Sequence, residues 1–264
     1  MRATILSAGQ GKRLLPLTAT TPKCLLPVRG DQPCLEVQLR ALAECGIDEA
    51  SVVVGFGADQ VDAFLATNPV PGIRVKTVYN PFFRISDNLI SCWAAQTEMQ
   101  DDFVHMNGDT LFETKVLERL LATPPAPLTL VINEKAEYDA DDMKVSVDGG
   151  RRLRAVGKTL DPEIVNGESI GLMYFRNPGP ANFRSALNAA VREPESLKRW
   201  YLSVVNEMAA TIRVATVAIT GLWWGELDYP EDLSEVRAYL GRAEQKRKAP
   251  VHPPPEPPRV TPPS

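Results

Sequence analysis

The chain has 264 residues, 44% of them hydrophobic and 23% charged, and carries a net charge of −4. That balance suits a globular protein with a sizeable core and excludes any general attraction to nucleic acid or an anionic membrane, so a polyanionic ligand would need a local cluster of cations. Four scattered cysteines with no C-x-x-C pair and only two histidines argue against zinc and for free thiols in a reducing cytoplasm; no run is long enough for a secretory leader or a membrane span.

In chain order, Ala3–Ser7 reads as a short apolar strand running into a glycine-rich loop. Leu35–Cys45 has helical spacing and stops at Gly46, a C-cap. Ser51–Val54 is a buried-type strand, Ala58–Leu65 a helix and Ile73–Val78 a strand. Asn88–Met99 reads as a helix with Asp87 at its N-cap, followed by strand Phe103–Met106 and helix Lys115–Leu121. Such alternation predicts a mostly parallel sheet covered on both faces. The second half is richer in strands: Leu128–Asn133, Lys144–Val147, Leu153–Val156 and Ile170–Arg176. Helices Ala181–Val191 and Leu197–Ala210, strand-like Ile212–Ile219 and a last helix Pro230–Gln245 complete it. From residue 247 proline dominates, which predicts a disordered tail.

The chemistry concentrates in Ser7-Ala8-Gly9-Gln10-Gly11-Lys12-Arg13-Leu14-Leu15-Pro16-Leu17-Thr18 and its continuation Thr21-Pro22-Lys23-Cys24-Leu25-Leu26-Pro27-Val28. A strand ending in two close glycines lets backbone N–H groups face phosphate oxygens, and Lys12, Arg13 and Lys23 add three cations to the same loop. A dinucleotide fingerprint would need a third glycine where Leu14 stands. An ATPase-type phosphate loop would need wider glycine spacing and a hydroxyl where Arg13 follows Lys12.

This stretch resembles the signature G-x-G-x-R-L-x-P-L-T…P-K-x-L-L-P-V of the nucleotidyltransferase superfamily, with Ser7 where alanine is commoner. The resemblance implies an α/β fold, three-layer and Rossmann-like, with a mixed, mostly parallel central sheet. It also implies an enzyme that joins a nucleoside triphosphate to a small phosphorylated alcohol. By family position, Ala8, Gly9, Gly11, Lys12, Arg13, Lys23, Asn88, Ser91 and Asp109 would bind the nucleotide; Arg13 would contact the triphosphate and Lys23 the reacting phosphates.

Two aspartates stand where Mg²⁺ ligands are expected. Asp109 follows Asn107-Gly108 at the carboxyl end of a strand, where open α/β sheets place ligands. Asp228 lies in Glu226-Leu227-Asp228-Tyr229-Pro230-Glu231-Asp232-Leu233, which resembles the superfamily's E-I-D-T-P-E-D-L. Mg²⁺ commonly takes one or two carboxylates plus phosphate oxygens, so Asp109 and Asp228 are the expected metal pair. With Lys23 and Arg13 they make the expected catalytic set.

A sugar-phosphate branch would carry G-T-A after the third strand; this chain has Tyr79-Asn80-Pro81-Phe82-Phe83-Arg84-Ile85-Ser86-Asp87-Asn88-Leu89-Ile90-Ser91 instead. That segment is similar to N-P-F-x-x-x-N-N-x-x-S of cytidylyltransferases acting on phosphocholine and related phosphoalcohols. Asp142-Met143-Lys144-Val145, Val156-Gly157-Lys158, Gly167-Glu168-Ser169-Ile170-Gly171 and Trp224-Gly225-Glu226 also resemble that branch. The implied reaction moves CMP from CTP to phosphocholine, with sugar-1-phosphate or inositol-phosphate transfer by CTP or UTP as the alternative, and a non-catalytic nucleotide sensor as the alternative of another class. Lys158, Glu168, Tyr201, Trp224 and Glu226 are the expected acceptor contacts, with Trp200 and Trp223 as further aromatics. Strand alternation lets only one of Trp223 and Trp224 face the site, and Trp224 shares a face with Glu226. Lys144 reads as a solvated charge by default and His105 as packing. The expected plan is a single domain over 1–246, with a nucleotide half to about 125 and an acceptor half beyond. Its partners would be small-molecule substrates, not nucleic acid or membrane; a homodimer is left open.

Overall fold

The structure is a computed structural model that describes residues 1–248. The proline-rich tail expected from 247 onward lies outside the described residues, apart from its first two positions at the end of the last helix.

The strands are β1 (Arg2–Ser7), β2 (Pro27–Arg29), β3 (Gln32–Pro33), β4 (Glu49–Val54), β5 (Arg74–Tyr79), β6 (Phe103–Asn107), β7 (Thr110–Phe112), β8 (Leu128–Asn133), β9 (Lys144–Val147), β10 (Leu153–Gly157), β11 (Gly167–Phe175), β12 (Val214–Ala218) and β13 (Trp224–Glu226). The helices are α1 (Cys34–Glu44), α2 (Ala58–Thr67), α3 (Asn88–Ala94), α4 (Thr114–Leu121), α5 (Gly179–Ala190), α6 (Tyr201–Ala209) and α7 (Pro230–Lys248). Two predicted helices are shorter than expected. The one from Asn88 ends at Ala94 and gives way to a 3₁₀ turn at Gln96–Glu98, and the one expected from Leu197 begins only at Tyr201, after a 3₁₀ segment at Pro194–Lys198. Asp87 occupies the predicted N-cap, but its side chain makes no capping bond.

One nine-stranded sheet runs through both halves in the order β10-β9-β11-β6-β1-β4-β5, with β8 pairing β11 and β12 pairing β8. The β6-β1-β4-β5 portion is parallel, as the alternation of strands and helices requires. β11 runs antiparallel to β6, β8 and β9 and joins the two halves. All nine of its residues are buried. Side chains alternate between faces along each strand. Ala3, Ile5, Val104 and Met106 pack with Leu35, Leu39 and Leu42 of α1, Val61 of α2 and Leu117 of α4. Phe103 packs on the other face with Leu89 of α3, Phe183 of α5 and Val205 of α6. The result is the three-layer α/β/α arrangement.

A third cluster, Leu14, Val28, Leu111, Leu227, Leu233 and Val236 among others, seats α7 over the start of the chain. This packing matters for function. β13 pairs β7 antiparallel, Glu226 opposite Thr110, and the Leu227 N–H donates to the Asp109 carbonyl at 3.2 Å.

His105 is fully buried on β6, edge-on to Tyr201 at 4.8 Å between ring centroids. Burial drives its pKa down to about 3. An unfolded histidine titrates near 6.5, so between those values the unfolded chain binds more protons and stability falls as pH falls. At pH 5 this should cost about 2 kcal/mol relative to pH 8. Urea titrations at the two pH values should show that slope reduced in His105→Phe; an equal slope in both proteins would remove His105 as the cause.

Candidate active site

β1 delivers the glycine-rich loop to the carboxyl edge of the sheet. Gly11 adopts φ +72°, and a Cβ there would lie 2.9 Å from Lys23 Cδ, so glycine both permits the turn and leaves room for the lysine. The loop then tightens into a 3₁₀ turn at Lys12–Leu14, which Thr18 Oγ1 braces by donating to the Gly11 carbonyl at 2.7 Å. Gly108 packs against β1, where a Cβ would come within 2.4 Å of the Leu6 carbonyl oxygen; this close approach sets Asp109 beside the loop.

Lys23 joins the two distant aspartates. Its Nζ donates to Asp109 Oδ2 at 2.6 Å and to Asp228 Oδ1 at 2.8 Å. Burial alone would lower the Lys23 pKa, but the two carboxylates outweigh it and hold it above the usual lysine value. Burial likewise works to raise the pKa of Asp228, yet Lys23 and Arg13 bring it below the usual carboxylate value. Arg13 Nη2 donates to Asp228 Oδ2 at 2.6 Å.

A cavity of about 680 Å³ opens over the loop, lined by Ala8, Gly9, Gly11, Lys12, Arg13, Lys23, Asn88, Ser91, Asp109 and Asp228. Every residue expected on the nucleotide side therefore borders it. Arg84, Ser86 and Asp87, from the segment that resembles the cytidylyltransferase stretch, line it as well. Asn88 also braces the wall, its Oδ1 accepting the Tyr201 N–H at 2.9 Å. Ser91 is buried and accepts from Asn80 Nδ2 at 3.0 Å.

A second cavity, about 590 Å³, adjoins the first; Arg13, Asn88, Asp109, Trp200 and Asp228 border both. Lys158, Glu168, Tyr201, Trp224 and Glu226, the expected acceptor contacts, all line it. Trp223, just ahead of β13, turns away and stacks on Tyr239 at 3.9 Å, leaving Trp224 to face the cavity. Tyr201 differs from a free aromatic wall: it is fully buried, and its hydroxyl donates to Asn107 Oδ1 at 2.9 Å. Trp200 is the exposed ring, and the Lys158 ammonium sits 5.0 Å from its centroid. Lys144 is no surface charge. It is buried and donates to the carbonyls of Asp139 and Lys158, tying the loop before β9 to the end of β10.

The second cavity is acidic. Asp109, Asp139, Asp141, Asp142, Glu168, Glu226, Asp228 and Asp232 line it against two cations, Arg13 and Lys158. Burial, then the nearby Asp109 and Asp228, push the Glu226 pKa up to about 8. Lys135, which the sequence reading passed over, bridges Asp142 and Glu168 at 2.8 Å each. Burial and the Asp142 carboxyl raise the Glu168 pKa; that of Asp142 is lowered despite burial, through its contacts with Glu168 and Lys135. A run of acids at Asp139–Asp142 was the available signal for this wall.

The donor set at Asp109 and Asp228 fits a hard divalent cation. All the donors are oxygens, Asp109 Oδ1 is buried without a hydrogen-bond partner, and one ammonium already draws both carboxylates together. Among the described residues no group of three or more His, Cys, Asp or Glu side chains could hold a metal by itself. A two-carboxylate site that substrate phosphates complete accords with this.

Comparison with known proteins decides the family, because residues 3–196 match the MobA-like NTP transferase domain. The chain belongs to that family and is a nucleotidyltransferase. It is 31% identical over 241 residues to the CMP-5'-(3-aminopropyl)phosphonate synthase of Streptomyces rubellomurinus, covering 88% of this chain but 37% of that one. It is 25% identical over 234 residues to the 2-aminoethylphosphonate cytidylyltransferase of Lancefieldella rimae, covering 88% and 90%. The nucleotidyltransferase thus spans little more than a third of the first relative and nearly all of the second. Its fold is that of the CTP:phosphocholine cytidylyltransferase of Streptococcus pneumoniae (TM-score 0.71, 20% identity, 90% of this chain and 98% of that one). It is also that of the inositol-1-phosphate CTP transferase of T. maritima (TM-score 0.75, 18% identity, 90% and 95%). Among the described residues, no helix is long and apolar enough to cross a membrane.

Proposed function

We propose that this nucleotidyltransferase moves CMP from CTP to a small phosphoalcohol or phosphonate with a cationic head, phosphocholine being the first choice, and releases pyrophosphate. The observation that carries the reading is the junction of a glycine-lined, cationic cavity and an acidic cavity at Asp109 and Asp228. CTP rather than another triphosphate rests on the similarity to the named cytidylyltransferases.

In this mechanism the triphosphate lies against the N–H groups of Gly9–Gly11, and Arg13 holds the β and γ phosphates. Asp109 and Asp228 would hold Mg²⁺, which when bound neutralises charge on the triphosphate. An oxygen of the acceptor phosphate needs no strong base, since its second pKa is near 6. It attacks the α-phosphorus in line; the new P–O bond forms as the bond to the pyrophosphate oxygen breaks. Lys23 neutralises charge on the transferring group, and the fixed geometry supplies the remaining advantage. The acceptor's head would lie toward Trp224, Glu226 and Glu168, where an aromatic face can receive a cation and a bound cation would favour the charged form of Glu226, whose pKa is pushed up to about 8.

A primary-ammonium acceptor, an aminoalkylphosphonate, is the second reading. Its support is that the Lys158 ammonium covers the face of Trp200 while carboxylates dominate the remaining wall, and an N–H donor suits carboxylates better than a trimethylammonium does. The test is pyrophosphate release from each of four triphosphates against phosphocholine, phosphoethanolamine, 2-aminoethylphosphonate, inositol-1-phosphate and glucose-1-phosphate. CTP with a cationic acceptor should give the highest kcat/KM. Turnover confined to sugar or inositol phosphates would overturn the proposal.

A further inference from the structure

Tyr229 stands where the resembled E-I-D-T-P-E-D-L stretch has threonine, and it lines the acidic cavity beside Arg13, which borders both cavities. Arg13 Nη1 donates to Tyr229 Oη at 3.3 Å, and Oη donates to Asp141 Oδ2 at 3.1 Å. The Arg13 guanidinium also lies over the ring, 4.9 Å from its centroid, and reaches Asp141 directly only at 3.7 Å. The other oxygen of Asp141 faces Lys158 Nζ at 3.6 Å. The tyrosine's own position is fixed: its N–H and that of Asp228 both donate to Asp232 Oδ2, at 2.7 and 2.8 Å, at the start of α7.

Asp141 belongs to the segment Asp139–Met143, which forms a wall of the acidic cavity. Within it, Asp139 Oδ1 accepts the N–H groups of Asp141 and Asp142, forming one turn whose Asp139 and Asp142 ends are tied by Lys144 and Lys135 and whose middle, Asp141, is not. Its links from Asp141 outward run to Arg13, Tyr229 and Lys158.

We propose that Tyr229 is a positioning residue that holds the Asp141 turn over the acceptor cavity once a triphosphate has engaged Arg13. The inference rests on the proposed use of the two cavities by triphosphate and acceptor. Binding of the triphosphate exchanges the partners of Arg13. Phosphate oxygens compete with Asp141 and Asp228 for the guanidinium, because a bidentate phosphate is the stronger partner. When Arg13 turns to phosphate, its long ion pair with Asp141 weakens. The phenol loses its contact from Arg13, but Asp232 still holds the Tyr229 backbone, so its hydroxyl continues to donate to the same carboxylate and retains Asp141. A threonine side chain on the same backbone would be too short to reach Asp141 while its backbone stays bound to Asp232.

Tyr229→Phe keeps the ring under Arg13 and removes only the hydroxyl. With the best triphosphate and acceptor from the matrix above, the acceptor KM at saturating triphosphate should rise about tenfold, the value of one hydrogen bond to a charged group. The triphosphate KM and kcat should stay within about twofold, and the acceptor Kd without triphosphate should rise less than the KM does. Asp141→Asn should raise the acceptor KM similarly, and the double variant should be no worse than the more affected single one. Unchanged acceptor KM, additive losses, or an equal penalty with and without triphosphate would each overturn the inference. The proposed function itself fails separately, if wild-type protein releases no pyrophosphate from CTP with any cationic acceptor.

Discussion

Asp109→Asn should lower kcat by about a thousandfold and leave the melting temperature within a few degrees of wild type. The substitution is isosteric and keeps an acceptor oxygen for Lys23, so the contact at 2.6 Å survives in weakened form. What it removes is half of the negative charge that the paired carboxylates present, together with one oxygen of a side chain whose Oδ1 has no hydrogen-bond partner. A buried acceptor left without a donor is costly, and a site that tolerates it commonly reserves that atom for a ligand. Steady-state pyrophosphate release with a parallel thermal melt measures both quantities. Turnover near wild type would take Asp109 out of the mechanism, and a collapsed melt would make its role structural.

Lys23→Met should be comparably inactive, by two to three orders of magnitude, but with a different signature. Here the substitution also removes the cation that holds Asp109, Asp228 and Arg13 in one network. Breaking a buried ion pair by deleting one partner can cost 3–5 kcal/mol; these carboxylates keep about a quarter of their surface in water, so about 1–2 kcal/mol is the expected loss. Without the lysine, a divalent cation becomes the one remaining source of positive charge between the two oxygens. Millimolar Mg²⁺ should therefore raise the melting temperature of Lys23→Met more than that of wild type. Equal shifts in the two proteins would argue that the carboxylates do not hold the ion.

The legible part of this site was local in sequence. Gly9, Gly11, Arg13 and Lys23 lie in one continuous stretch, which the backbone demands of the proposed phosphate contact would bring together. The long strands and helices were legible for a similar reason, because burial on one or both faces writes a period into the chain. The contacts that bring Asp228 to Asp109 leave no such trace. β7 and β13 have three residues each, too few to show alternation, and their pairing depends on the third hydrophobic cluster under α7. Family resemblance, not periodicity, pointed to Asp228. Tyr201 could be assigned to the site but not oriented: whether its ring forms a wall or its hydroxyl braces Asn107 depends on where α6 begins, and that start lies four residues later than spacing suggested. Lys144 was misjudged because a lysine is ordinarily solvated; here two backbone carbonyls satisfy its ammonium within the fold.

The late arrival of β13 has an implication for synthesis on the ribosome. The glycine-rich loop and Asp109 leave the ribosome well before Asp228, and that second carboxylate cannot take its place until the short ladder against β7 closes. A nascent chain arrested between Asp109 and Trp224 would carry the loop and only one of the two carboxylates that meet at Lys23. In the proposed reaction such a partial copy would lack half of the acidic pair and so would consume little nucleoside triphosphate.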